Sequence, residues 1–214
     1  MKYRMHSHRH GDEIFETKRY QSIWYEIDDV LSSITEGQII KEFENQQETR
    51  KTKLKSISKV LNPLIKAGFR SREWTPESQI FESEEGNTWR LDFSKDLISV
   101  EVGFNHGEAM AWNLIKPTLA SQITHLQRKT ETTAGVVITA TQNLKIAGGF
   151  DNAIGTFEDY VRHLGALQNI VTIPLVIIGI EAPESFHVEH KTVGIRKIGH
   201  IVHTSIGLCV ECQS

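Results

Sequence analysis

Two acids, Asp92 and Glu101, stand with eight residues between them in the stretch WRLDFSKDLISVEVGFNH, residues 89–106. Residues 97–102 are mostly apolar and rich in β-branched types, which reads as a buried strand with Glu101 inside it. Residues 90–93 read as a shorter strand ahead of it, and Ser94, Lys95 and Asp96 as the tight connection. Such a hairpin brings the two carboxylates within a few ångström of each other. A buried acid is costly to ionise without a partner. Two acids at one point therefore share a proton or bind a hard cation. A strand-edge Asp and a solvated Glu is the plainer reading of the spacing alone.

The residues around the acids narrow the choice. Asp92-Phe93-x-Lys95 followed by Val100-Glu101-Val102-x-Phe104 resembles the catalytic segment of the BglII/BstYI family of type II restriction endonucleases, within the PD-(D/E)xK nuclease superfamily. The resemblance extends to residues 10–14, to 61–69 with Trp74, and to 173–180, in that order along the chain, and covers roughly residues 6–182. It implies an α/β fold with a restriction-endonuclease-like core and Mg²⁺-dependent hydrolysis of double-stranded DNA at a short palindromic site by a homodimer. It also implies that Asp92, Glu101 and the backbone carbonyl of Val102 hold the metal. Mg²⁺ suits such a set, because it takes few protein oxygens and keeps several waters.

The chain departs from the family at one place. The third catalytic position, two residues after the second acid, holds Lys, Glu or Gln in the superfamily; here it is Gly103. Side chains on a strand alternate, so Asn105 is the next polar group on the face of Glu101. A bulge at Gly103 would turn His106 inward instead. Asn105, Lys95, His106 and Glu108, or the substrate phosphate itself, are thus the candidates for the missing role. Lys95 also reads as a plain turn lysine.

By the resemblance, bases are read from two places: after the catalytic strand, at Asn105 and His106, and after the next strand, at Asp151 and Asn152. Asn suits adenine, while Asp-Asn also suits a turn or a helix cap. Arg50, Lys51, Lys53 and Lys55, continued by Lys59 and Lys66, form the main basic cluster. It reads as one face of a helix whose apolar stripe is Leu54, Ile57, Val60, Leu61, Leu64 and Ile65, interrupted by Pro63. Such a face is either solvated or set against phosphates.

The elements that must position these groups follow from periodicity. Ile23, Trp24, Ile27, Leu31 and Ile34 mark a first helix ending near Gly37. Residues 39–50 are polar and read as a loop or frayed helix. Residues 107–130 read as a long helix kinked at Pro117, 134–140 as a buried strand, and 141–155 as a loop. Residues 156–169 read as a helix with Thr156 as N-cap, and 170–180 as a second buried strand. The order β, β, α, β, α, β gives a central mixed β-sheet flanked by helices. One endonuclease domain over residues 1–214 is expected, with a helical part at 1–75, a core at about 88–182 and a strand-rich tail at 184–214.

Composition sets outer bounds. With 214 residues and a formal charge of −3, the chain suits one domain and does not advertise a nucleic-acid binder. No apolar run has transmembrane length and the N-terminus is too polar for a signal peptide, so a cytoplasmic protein without a membrane partner is expected. His6, His8 and His10 have metal-ligand types, but a mobile or edge segment is the simpler reading. His200, His203, Cys209 and Cys212 have zinc-ligand types, but a terminal hairpin is the simpler reading. Two further functions stay open: a DNA-binding protein with catalysis weakened at Gly103, and a repair or recombination nuclease without sequence specificity.

Overall fold

The computed structural model describes residues 1–81, 89–104, 106–122 and 129–204. Its centre is a six-stranded mixed sheet with the strands in the order β1-β6-β5-β4-β3-β2. These are β1 (Tyr3–His8), β2 (Thr75–Gln79), β3 (Arg90–Lys95), β4 (Ile98–Val102), β5 (Ala134–Ala140) and β6 (Leu175–Ile180). Strands β4, β5 and β6 run parallel, and the three others add antiparallel at the two sides. Of the His-rich segment, His6 and His8 belong to the edge strand β1, and His10 stands at the N-cap of the short helix α1 (Gly11–Glu16) that follows. A separate hairpin, β7 (Phe186–Val193) with β8 (Arg196–His203), forms the tail. Of the four tail residues with zinc-ligand types, Cys209 and Cys212 lie outside the described residues.

Alternation along the buried strands decides which element covers which face. Ile98, Val100 and Val102 of β4, with Val136 and Ile138 of β5, pack on α2 (Gln21–Ser32) and α4 (Ser58–Arg70) in the larger core. Val137 of β5 and Ile177 of β6 turn the other way, to α5 (Met110–Gln122) and α7 (Phe157–Ala166), through Leu114, Tyr160 and Leu164. Glu101 and Gly103 therefore face α5 and α7. Helix α7 starts where Thr156 and Asp159 form a capping box, as its sequence predicts.

Three expectations change. Residues 39–50 are not a loop: α3 (Glu36–Thr49) is a full helix, started by a Thr35–Gln38 capping box and anchored by buried Ile39 and Phe43. A short helix, α6 (Gln142–Ala147), stands within the expected 141–155 loop, capped by Thr141. Helix α4 begins only at Ser58, so Lys51, Lys53 and Lys55 lie on a loop rather than a helix face. Tertiary bonds hold that loop: Ile57 N–H donates to the Gly148 carbonyl at 3.1 Å, and Gly199 N–H donates to the Leu54 carbonyl at 2.8 Å.

Candidate active site

The hairpin of β3 and β4 turns at Asp96 and Leu97, both at positive φ (46° and 68°), one step later than the sequence suggests. Two such residues match the right-handed twist of the flanking strands. The ladder pairs Lys95 with Ile98, Ser94 with Ser99 and Phe93 with Val100, and stops there. One further step would set Asp92 opposite Glu101. Instead the Asp92 carboxylate occupies the gap, where its Oδ2 accepts the Val102 N–H at 2.8 Å. The N–H and C=O of one residue in an extended strand point to the same side, so the Val102 carbonyl also faces Asp92.

Glu101 is 1% exposed, and burial pushes its carboxyl up to about 8 against the opposing pull of Lys116. Lys116 comes from α5. Its Nζ donates to Glu101 Oε2 at 2.5 Å and to the Arg90 carbonyl at 3.0 Å. Among the described residues, Glu101 Oε1 is buried and accepts no hydrogen bond of ordinary geometry, although the Asp92 backbone N–H adds a weak downward pull on the carboxyl. A second lysine, Lys66 of α4, sits 3.1 Å from Asp92 Oδ1. Each acid thus holds one ammonium group. Sequence reasoning missed Lys116, which lies on a helix of weak amphipathic contrast and carries no local mark.

Gly103 shows no bulge. Its N–H donates to the Ile138 carbonyl at 2.8 Å and its carbonyl accepts the Thr139 hydroxyl at 2.9 Å. A Cβ there would meet Tyr160 Oη at 2.5 Å and Asn113 Nδ2 at 2.8 Å. These two atoms are hydrogen-bonded to each other at 2.7 Å, so they close off the place a third side chain would take.

The other candidates lie elsewhere. Lys95 does not approach the acids: its Nζ donates to both Glu26 oxygens at 2.8 and 2.9 Å and to the Arg72 carbonyl at 2.8 Å. Lys95 is a brace between the hairpin and α2. Lys95→Met should lower stability by roughly 1–2 kcal/mol, less than for a fully buried pair because both ends see solvent. Urea denaturation and plasmid cleavage check this; a more than roughly tenfold loss of cleavage in a folded variant would return Lys95 to the site. Glu108 is exposed, and Asn105 lies outside the described residues. His106 is exposed and pairs its backbone with Ile154 in an isolated bridge, so without a bulge it stays away from Glu101.

His106 instead lines an open cavity of about 730 Å³ with Lys51, Lys53, Lys55, Phe104 and Asp151. Neither acid lines this cavity. The segment after β4 joins the two regions. Within the cavity, Lys55 pairs with Asp151 at 2.8 Å and holds that carboxyl below its usual range. Asp151 also caps its own turn by accepting the Ala153 N–H at 3.1 Å. Asn152 is exposed, and its carbonyl takes Lys145 Nζ at 2.7 Å. Lys53 reaches back to the Gln47 carbonyl at the end of α3. The sequence-predicted residues thus form two groups: Asp92, Glu101 and Val102, and the basic cavity with His106 and Asp151.

Comparison with known proteins fits this geometry. The family profile of restriction endonuclease BglII/BglIII matches residues 3–180. A crystal structure of restriction endonuclease BglII complexed with a DNA 16-mer shares the fold, with TM-score 0.67 and 17% identity over 95% of this chain and 100% of that one. The structure of free BglII gives TM-score 0.54 over the same shares, also at 17% identity. Among curated proteins none matches. Matched over most of its length and carrying paired acids at the end of the β3–β4 hairpin, the chain belongs to the BglII/BglIII restriction endonuclease family of type II site-specific deoxyribonucleases.

Proposed function

We propose that the chain is a Mg²⁺-dependent type II restriction endonuclease. It cuts both strands of double-stranded DNA at a short palindromic site, as a cytoplasmic homodimer whose chains are each one endonuclease domain. A homodimer supplies one site per strand, which matches a palindrome. Among the described residues no helix is long and apolar enough to cross a membrane.

The observation that carries this reading is Glu101 Oε1, a buried carboxylate oxygen that accepts no hydrogen bond of ordinary geometry, beside Asp92 and the Val102 carbonyl. That donor set is all oxygen and small, as Mg²⁺ requires. Asp92, Glu101 and the Val102 carbonyl would hold Mg²⁺, which when bound acidifies a water and stabilises charge on the phosphate. The protein's own residues do the rest. The Val102 N–H fixes the Asp92 carboxylate, and Lys116 fixes that of Glu101. Apolar residues of β4 and β5 keep water from the far side of the sheet.

The basic cavity is the surface for the DNA backbone, with His106, Asp151, Asn152 and Asn105 as the groups nearest the bases. Changing Lys51, Lys53 and Lys55 to Gln should weaken binding to all sequences alike. The salt dependence should flatten by roughly one unit of slope for each phosphate that the variant no longer touches. Fluorescence titration at several salt concentrations checks this; an unchanged slope would assign these lysines to the solvated surface.

Digestion of plasmid DNA with Mg²⁺ tests the function. Discrete fragments, absent when EDTA is added, are the expected result. Binding without cutting would favour a scaffold disabled at Gly103, and a smear would favour a nuclease without sequence preference.

A further inference from the structure

Strand β4 has no polar side chain at the position two residues after Glu101, and Tyr160 and Asn113 leave no room for one. A cation nevertheless reaches the same acid from α5. Lys116 lies three residues after Asn113, on the same face of α5, and its side chain is 15% exposed. Among the described residues its ammonium has two acceptors, Glu101 Oε2 and the Arg90 carbonyl. An ammonium has three N–H groups, so one remains for a ligand. Holding Oε2 also leaves Oε1 as the free oxygen of the carboxylate.

We propose that Lys116, delivered by α5, is the catalytic cation that β4 lacks at Gly103: it fixes Glu101 through Oε2 and donates its third N–H to a non-bridging oxygen of the scissile phosphate. The assignment rests on the endonuclease reading. In the reaction a bond forms between the water oxygen and phosphorus, and the bond from phosphorus to one ester oxygen breaks. The water loses a proton to solvent and the leaving oxygen takes one from solvent. Lys116 keeps its protons throughout and acts by placing positive charge where negative charge builds up, in a partly buried site where such a contact is strong. Lys66 differs, because it holds Asp92 from α4 across the larger core side.

The test uses the full chain and a plasmid that it cuts. Lys116→Gln keeps a donor toward Glu101, so the buried acid is not stranded; Lys116→Met removes it. Single-turnover cleavage with Mg²⁺ should fall by at least about 100-fold in both variants. In Lys116→Gln, which still holds Glu101, DNA affinity measured in Ca²⁺, and Mn²⁺ binding to the protein–DNA complex followed by electron paramagnetic resonance, should stay within about threefold of the parent. Lys116→Cys should be equally slow and should regain at least roughly tenfold on treatment with 2-bromoethylamine, which rebuilds an amine of similar length. The parent treated in the same way controls for Cys209 and Cys212. Cleavage by Lys116→Gln close to the parent rate would overturn the assignment. So would failure of the rebuilt amine to restore cleavage, or a matching loss of Mn²⁺ or DNA binding in Lys116→Gln. If the parent binds plasmid but never cuts it, the endonuclease reading falls and the assignment with it, whereas active Lys116 variants remove the assignment alone.

Discussion

Asp92→Ala and Glu101→Ala should each slow DNA cleavage by at least about 10³-fold, or ~4 kcal/mol of barrier at 1.36 kcal/mol per decade. Both acids sit at the splayed end of the β3–β4 hairpin, and each removal takes a full negative charge from the proposed metal site. Their effects on folding should differ. Asp92→Ala strands the Val102 N–H and the Lys66 ammonium, and should cost roughly 1–3 kcal/mol. Glu101→Gln removes a charge that burial already disfavours. In the metal-free protein the raised Glu101 carboxyl keeps its proton to a higher pH than in the unfolded chain. Its stabilising contribution is full below the ordinary value of 4.5, declines as pH rises toward about 8, and is level above that. Thermal denaturation in EDTA should show this decline in the parent and not in Glu101→Gln. A Glu101→Gln protein that cuts DNA normally would remove Glu101 from the site. A parent that gains stability over this pH range would contradict the effect of burial on Glu101.

Gly103→Lys, which restores the residue common at the third position, should inactivate the protein rather than improve it. Already in Gly103→Ala the new Cβ lies 2.5 Å from Tyr160 Oη and 2.8 Å from Asn113 Nδ2. Tyr160 is 1% exposed and packed among Leu114, Phe157 and Leu164, so it yields only by reopening that core. Overpacking of this kind costs about 1–3 kcal/mol, and a longer side chain costs more. Tyr160→Phe removes the nearest of the two atoms. The double variant Gly103→Ala/Tyr160→Phe should therefore be more stable than the two single changes sum to, which urea denaturation measures directly. Wild-type stability for Gly103→Ala, or faster cleavage by Gly103→Lys, would show that the pocket is open.

Much of this site is legible in the sequence because it is local. The β-type run around Glu101, the short strand at Asp92 and the turn between them all lie within one hairpin, and pattern alone puts the acids together. The basic loop reads as helix because Leu54 and Ile57 fit a helical stripe. Their backbone groups bond instead to Gly148 and Gly199, which are remote in sequence. Helix α3 is polar enough to read as a loop, and its capping box and buried Ile39 and Phe43 decide otherwise. Lys116 is illegible for a further reason. Its role exists only because the crossover from β4 to β5 lays α5 over the face that carries Glu101, a long-range event with no local mark. Gly103 marks the same event from the strand side, since the absence of a side chain there accommodates Tyr160 from α7.

The proposed mechanism depends above all on Asp92, Glu101 and the Val102 carbonyl holding the catalytic metal. Anomalous scattering from Mn²⁺ in a crystal of the protein with DNA tests this most directly. A peak is expected within metal–oxygen bonding distance of an Asp92 oxygen, Glu101 Oε1 and the Val102 carbonyl, with Lys116 still on Oε2. A peak bound only by His106 and Asp151, or no peak beside Glu101 in a crystal whose DNA is cut, would contradict it.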